Sequence, residues 1–150
     1  MSASQSYIAV VKIPKLKKDE LAESIKFQAD KVVPMSLDQV KLDWTVINDD
    51  PKLEEQEVLL VATPNNVADK YLNLVQKAGF ELLALEINAI SQSRSLLSDQ
   101  DRQKCVLVLD IGSIATDLCV YKNEVPILLR SISVGYKALK RITIQNLGVS

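Results

Sequence analysis

The chain has 150 residues, 47% of them hydrophobic and 25% charged, with a net charge of −1. That is enough for one ordinary core or two small ones, and it lacks the positive excess that nucleic acid demands. Histidine is absent, which excludes Ser/His and Cys/His nucleophiles and the commonest zinc ligand sets.

Met1–Ser6 has neither the basic nor the apolar part of a signal sequence, and no apolar run approaches the ~20 residues that span a bilayer. A cytoplasmic chain with no direct membrane insertion is expected. Tyr7–Ile13 is β-rich and closes on Pro14, which predicts a strand. The cluster Lys15-Leu16-Lys17-Lys18 reads as solvated loop. From Asp19 to Val33, the residues Leu21, Ile25, Ala29 and Val32 recur at helical spacing, with Glu20 and Glu23 near the start and Pro34 as the stop. In Val40–Ile47, Val40, Leu42, Trp44 and Val46 alternate with Lys41, Asp43 and Thr45, the pattern of a half-buried strand with Trp44 facing the core.

After the turn Asn48-Asp49-Asp50-Pro51, Glu57–Thr63 reads as a strand buried on both faces. Asn65 is placed to cap the next helix, whose stripe is Val67/Ala68, Tyr71/Leu72, Val75 and Ala78, and Gly79 terminates it. Phe80–Ile87 is expected to be a strand and Asn88–Leu97 a short helix. The polar stretch 98–104 reads as a linker. Beyond it come strands Cys105–Ile111, Thr116–Tyr121 and Pro126–Ser133, with Asn123-Glu124 as the last tight turn, and a helix over Tyr136–Leu147. Cys105 and Cys119 both lie in apolar strands and read as buried thiols of a reducing compartment. Asp30 and Asp43 have no convergent partner and read as surface charge. The loop around Asp99 and Asp101 lacks the glycine and terminal glutamate of a calcium site.

One turn looks chemical. An apolar strand enters Asp110-Ile111-Gly112, turns over Ser113-Ile114-Ala115 and leaves from Thr116. It sets a carboxylate, a glycine and hydroxyls where backbone amides can meet an anion. The stretch Val108–Leu118 resembles the second phosphate-binding hairpin of the actin, sugar-kinase and heat-shock chaperone superfamily. Further segments narrow it: Leu16-Lys17-Lys18-Asp19-Glu20-Leu21, Ile25-Lys26-Phe27-Gln28-Ala29-Asp30, Val33-Pro34, Leu42-Asp43-Trp44, Val58–Pro64, Ala78-Gly79-Phe80 and Arg130–Gly135. Together, in order, they resemble the PilM family, actin-like proteins of the type IV pilus inner-membrane platform. The cell-division protein FtsA is the nearest alternative, and a sugar- or acetate-kinase fragment is a further one.

The resemblance implies an α+β / α/β fold, an excerpt of the actin-like (ribonuclease H-like) architecture. Residues 1–97 would be an inserted α+β subdomain with a linking helix, 98–104 a linker, and 105–150 the incomplete start of the second actin-like lobe. It also implies cofactor-binding positions at Asp110, Gly112, Ser113, Thr116 and Gly135. Asp110 would hold Mg²⁺ through water in the full-length protein. Ile114 and Ala115 stand where the glycine-richest relatives carry glycine, and Tyr136 follows Gly135 where many have a second one. ATP and Mg²⁺ are expected in the full-length protein and no tight cofactor in the excerpt. No catalytic residue is assigned, and the full-length protein would be at most a weak ATPase. The implied partners are the N-terminal cytoplasmic peptide of a PilN-type protein and other pilus platform proteins. The implied location is cytoplasmic, peripheral to the inner membrane.

Overall fold

The computed structural model describes Met1 and residues 5–148. Residues 2–4 of the N-terminal stretch discussed above, and the two residues after Gly148, lie outside the described part. The chain divides into two compact units, Met1–Ile87 and Asn88–Ser150.

The first unit is an antiparallel sheet in the order β1-β3-β2, from strands β1 (Tyr7–Pro14), β2 (Val40–Asn48) and β3 (Glu55–Pro64). Registers Val11↔Val58, Ala9↔Leu60 and Trp44↔Leu60 put Val11, Ala9, Val58, Leu60 and Trp44 on one face. Helix α1 (Lys18–Val32) seals that face. Its Leu21, Ile25 and Ala29 join Val11, Ile13, Val58, Leu60 and Ala62 in one buried cluster, with Trp44 half-buried at its margin. Adjacent Leu59 and Leu60 are both buried, so the central strand is covered on both faces, as its unbroken apolar run predicts. Val33 closes α1 by donating its amide to Ala29 O at 2.8 Å, and Pro34 follows.

Helix α2 (Asn65–Lys77) starts without the expected cap. Pro64 holds the cap position, and Asn65 is already helical. The reason is that β3 stays paired up to Pro64, opposite Val40, so strand runs straight into helix. Asn65 Nδ2 instead donates to Asp38 O at 2.9 Å. The far end behaves as predicted. Gly79 has φ +82°, its amide donates to Gln76 O, and the Phe80 amide donates to Val75 O. This paired bonding beyond a left-handed residue is the Schellman closure.

Phe80–Ile87 is not a strand. A strand exists only through its pairing, and both sheets are three-stranded without this segment. Its Phe80 and Leu83 are exposed.

The second unit begins with α3 (Asn88–Leu96), the helix expected to close the first. It continues with a meander in the order β4-β5-β6: β4 (Cys105–Ile111), β5 (Thr116–Lys122) and β6 (Val125–Ile132). The two turn residues Asn123 and Glu124 both have positive φ, 50° and 67°, matching the right-handed strand twist in a two-residue hairpin. The unit ends with α4 (Tyr136–Leu147), closed by Gly148 at φ +62°. The stretch 98–104 is a fastened connection inside this unit. Arg102 donates to Leu97 O and Arg94 O at the end of α3 and pairs with Glu124 at 3.2 Å.

The alternation of β4 is the reverse of a covered strand. Leu107, Leu109 and Ile111 are 54–57% exposed, while Val106, Val108 and Asp110 are half-buried. The helix that covers this sheet is α3, and α4 leaves Leu139 and Ile142 exposed. Cys119 is buried as expected, but Cys105 is exposed because its position falls on the open face at the strand's first residue.

Candidate functional site

The Asp110–Thr116 turn is built from the hairpin outward. Ile111↔Thr116 is the last strand pair, and residues 112–115 form the loop. Gly112 N–H donates to Ala115 O at 2.9 Å and closes it. The loop then clasps the start of α4. Tyr136 N–H donates to Gly112 O at 2.8 Å, and Lys137 N–H donates to Ser113 O at 3.1 Å. The Thr116 hydroxyl donates to Val134 O at 2.7 Å. Gly135 sits in the crease. A Cβ there would lie 2.6 Å from Gly112 O and from the backbone of Ile114, so only glycine allows the approach.

Asp110, Gly112, Ser113, Thr116 and Gly135 therefore come together in one unit, through backbone contacts. The geometry also decides which donors are left. The first amides of α4 are taken by the loop's carbonyls, so the end of that helix is not the anion seat. The amides of Ser113, Ile114 and Ala115 engage no acceptor among the described residues. Three successive unengaged amides in a tight turn are the material of an anion nest. Ile114 is 74% exposed, so its branched side chain points away from the crease.

Asp110 lies on the opposite side of β4 from Leu109, beneath α3. Its Oδ2 accepts a hydrogen bond from Gln92 Nε2 at 2.7 Å. Directly across the ladder stands Asp117, and its Oδ1 is buried with no hydrogen-bond partner. Sequence reasoning missed both Gln92 and Asp117. The signal for Asp117 was present: a four-residue loop bounded by Ile111 and Thr116 must pair position 110 with 117. Nothing in the spacing signals Gln92, whose role depends on how α3 lies on the sheet. That placement is fixed by Tyr121, which is fully buried and donates its hydroxyl to Ala89 O at 2.7 Å. Burial, reinforced by hydrogen bonding to Cys119, pushes the Tyr121 phenol far above its ordinary pKa, and burial likewise raises the Cys119 thiol.

Two facing carboxylates repel, and a buried carboxylate oxygen without a partner is costly. Neither has a cationic side-chain partner among the described residues. Oxygen donors of this kind suit Mg²⁺, which takes one or two carboxylates, keeps several waters and completes its shell with phosphate. Asp110 and Asp117 fit that ion. No group of three or more potential metal-ligating side chains occurs among the described residues, so these residues offer no dedicated protein cage.

In the first unit an open groove of about 790 Å³ runs past Tyr7, Pro34, Met35, Asp38, Asn65 and Val67. Asn65 Oδ1 is buried without a partner. No described helix is long and apolar enough to cross a membrane.

Comparison with known proteins agrees with this architecture. The family model for type IV pilus assembly protein PilM matches residues 1–150. Among solved structures, a chain of a PilM–PilN type IV pilus biogenesis complex superposes with a TM-score of 0.77 at 18% identity. The match covers 99% of this chain and 45% of that one. The cytoplasmic domain of EpsL, an inner-membrane component of the type II secretion system of Vibrio cholerae, superposes with a TM-score of 0.58 at 11% identity. There the match covers 99% of this chain and 52% of the other. The chain thus has the actin-like mixed α/β fold in part, spanning about half the length of these neighbours.

Proposed function

The chain belongs to the PilM family of type IV pilus assembly proteins, and from that premise we propose that it is part of a cytoplasmic, actin-like adaptor of the pilus assembly platform. In this reading the longer protein docks on a PilN-type membrane partner and is held at the inner membrane through it and other platform proteins. The observation that carries the reading is the family match along the whole chain. One structural neighbour comes from a PilM–PilN complex, and another is a component of a secretion system at the inner membrane.

The groove of the first unit is the docking place we favour for the partner's N-terminal segment. Tyr7, Pro34, Met35 and Val67 offer apolar surface, and exposed Asp38 and Asn66 add polar groups beside it. A few placed polar groups on an apolar wall set register, while apolar side chains supply affinity. The expected result is saturable binding of a synthetic PilN N-terminal peptide to the full-length protein, read by calorimetry. No heat at high micromolar peptide would sink the docking half of the proposal.

ATP with Mg²⁺ is the ligand proposed for the Asp110–Thr116 turn in the full-length protein. The amides of Ser113, Ile114 and Ala115 would face phosphate oxygens, while Asp110 and Asp117 would hold the ion. Bound there, Mg²⁺ offsets phosphate charge. The chain spans about half the length of its structural neighbours, so it is not proposed to hold ATP tightly by itself.

A further inference from the structure

We propose that Gln92 is a positioning residue for the metal end of this site: it orients Asp110, with a donor that carries no charge, so that Asp110 and Asp117 together present oxygens to one hydrated divalent cation. The inference rests on the nucleotide reading above and deepens it.

Three features of the second unit carry it. The first is rigidity. Ala89 and Ser93, one turn apart on α3, are 1% and 4% exposed, and Tyr121 ties the Ala89 carbonyl to β5. Gln92 therefore reaches Asp110 from an anchored stretch of helix. The second is direction. The 2.7 Å bond engages Asp110 Oδ2, which fixes the carboxylate's rotation and leaves its other oxygen uncommitted. The third is charge. A lysine or arginine at this place would neutralise Asp110 and weaken its hold on a cation. A carboxamide steadies the group and leaves its full negative charge.

Asp117 completes the argument. It stands opposite Asp110 on the same face, and its Oδ1 has no partner. A cation shared by the pair removes their mutual repulsion and supplies the orphaned oxygen with a partner. Partners that orient ligating groups typically matter 10–100-fold in metal affinity.

The test uses the full-length protein, a fluorescent ATP analogue, and affinity measured with and without Mg²⁺, with melting temperature followed in parallel. Gln92→Ala and Gln92→Lys are each expected to cut the Mg²⁺-dependent gain in affinity roughly tenfold. Gln92→Lys keeps a donor to Asp110, so a purely structural tie would be rescued by it, with the melting temperature held or raised. A wild-type Mg²⁺ response in Gln92→Lys would overturn the proposal, as would an unchanged response in both variants. Should Gln92→Ala fail to fold, the lysine variant decides alone. A wild-type protein whose nucleotide binding ignores Mg²⁺ would overturn the nucleotide reading itself, and the role of Gln92 with it.

Discussion

The two units contain the same parts, a three-stranded antiparallel sheet and a covering helix, yet they use them differently. In the first, α1 lays Leu21, Ile25 and Ala29 on an apolar face and the core closes. In the second, α3 lies on the face that carries Asp110, Asp117 and Tyr121, while the more apolar face of β4 stays open. The first arrangement is what stability alone selects. The second spends its covering helix on polar groups, the arrangement expected where a sheet presents chemistry and meets further structure on its other side.

The contrast is sharpest in leucine truncations. Leu60→Ala removes a side chain at 0% exposure and should cost about 2–5 kcal/mol. Leu109→Ala, on the open face at 54% exposure, should cost less than ~1 kcal/mol. Urea unfolding reads both, and Trp44, the sole tryptophan, reports on the first unit. Equal losses would mean that the open face is not open in solution.

A smaller effect is expected in the crease. Gly135→Ala sets a methyl 2.6 Å from backbone atoms of the hairpin, which should cost about 1–3 kcal/mol as the loop is pushed off α4. Amide exchange at Tyr136 and Lys137 should rise more than elsewhere, because their acceptors are loop carbonyls. Unchanged protection there would break the picture of a clasped helix.

Tyr121→Phe strands the Ala89 carbonyl and should cost about 1 kcal/mol. It carries a pH signature. The phenol's pKa is raised in the fold from its ordinary value of 10.0, so the unfolded chain loses that proton first. Stability from this group is whole below about pH 10 and declines as pH rises past it. Wild type should therefore lose stability above pH 10 more steeply than Tyr121→Phe, as followed by thermal melts across that range.

Local chemistry made much of the fold legible. Pro34, Gly79, Asn123-Glu124 and Gly148 each mark a stop that backbone sterics enforce, and the spacing of Leu21, Ile25 and Ala29 fixes the face of α1. What could not be read needed distant partners. Phe80–Ile87 has strand composition, but pairing is a property of neighbours. Asn65 has cap chemistry, but Pro64 was already committed to the sheet. The linking helix joins the second unit because Tyr121 bonds to it across 32 residues. At the site, sequence placed Asp110 and its turn, whereas the placement of Gln92 and Asp117 comes from register and helix docking.

The clasp between loop and helix also has a mechanical side. Helix α4 has 12 residues, a rod of ~18 Å at about 1.5 Å per residue, and its first two amides are bonded to the loop. Any shift of the loop would therefore be passed directly to the start of the helix, with the loop as pivot and the helix as pointer. A tilt of about 5° at the pivot moves the far tip of such a rod by ~1.5 Å. A ligand settling on the turn's amides would have its arrival written at the other end of the helix.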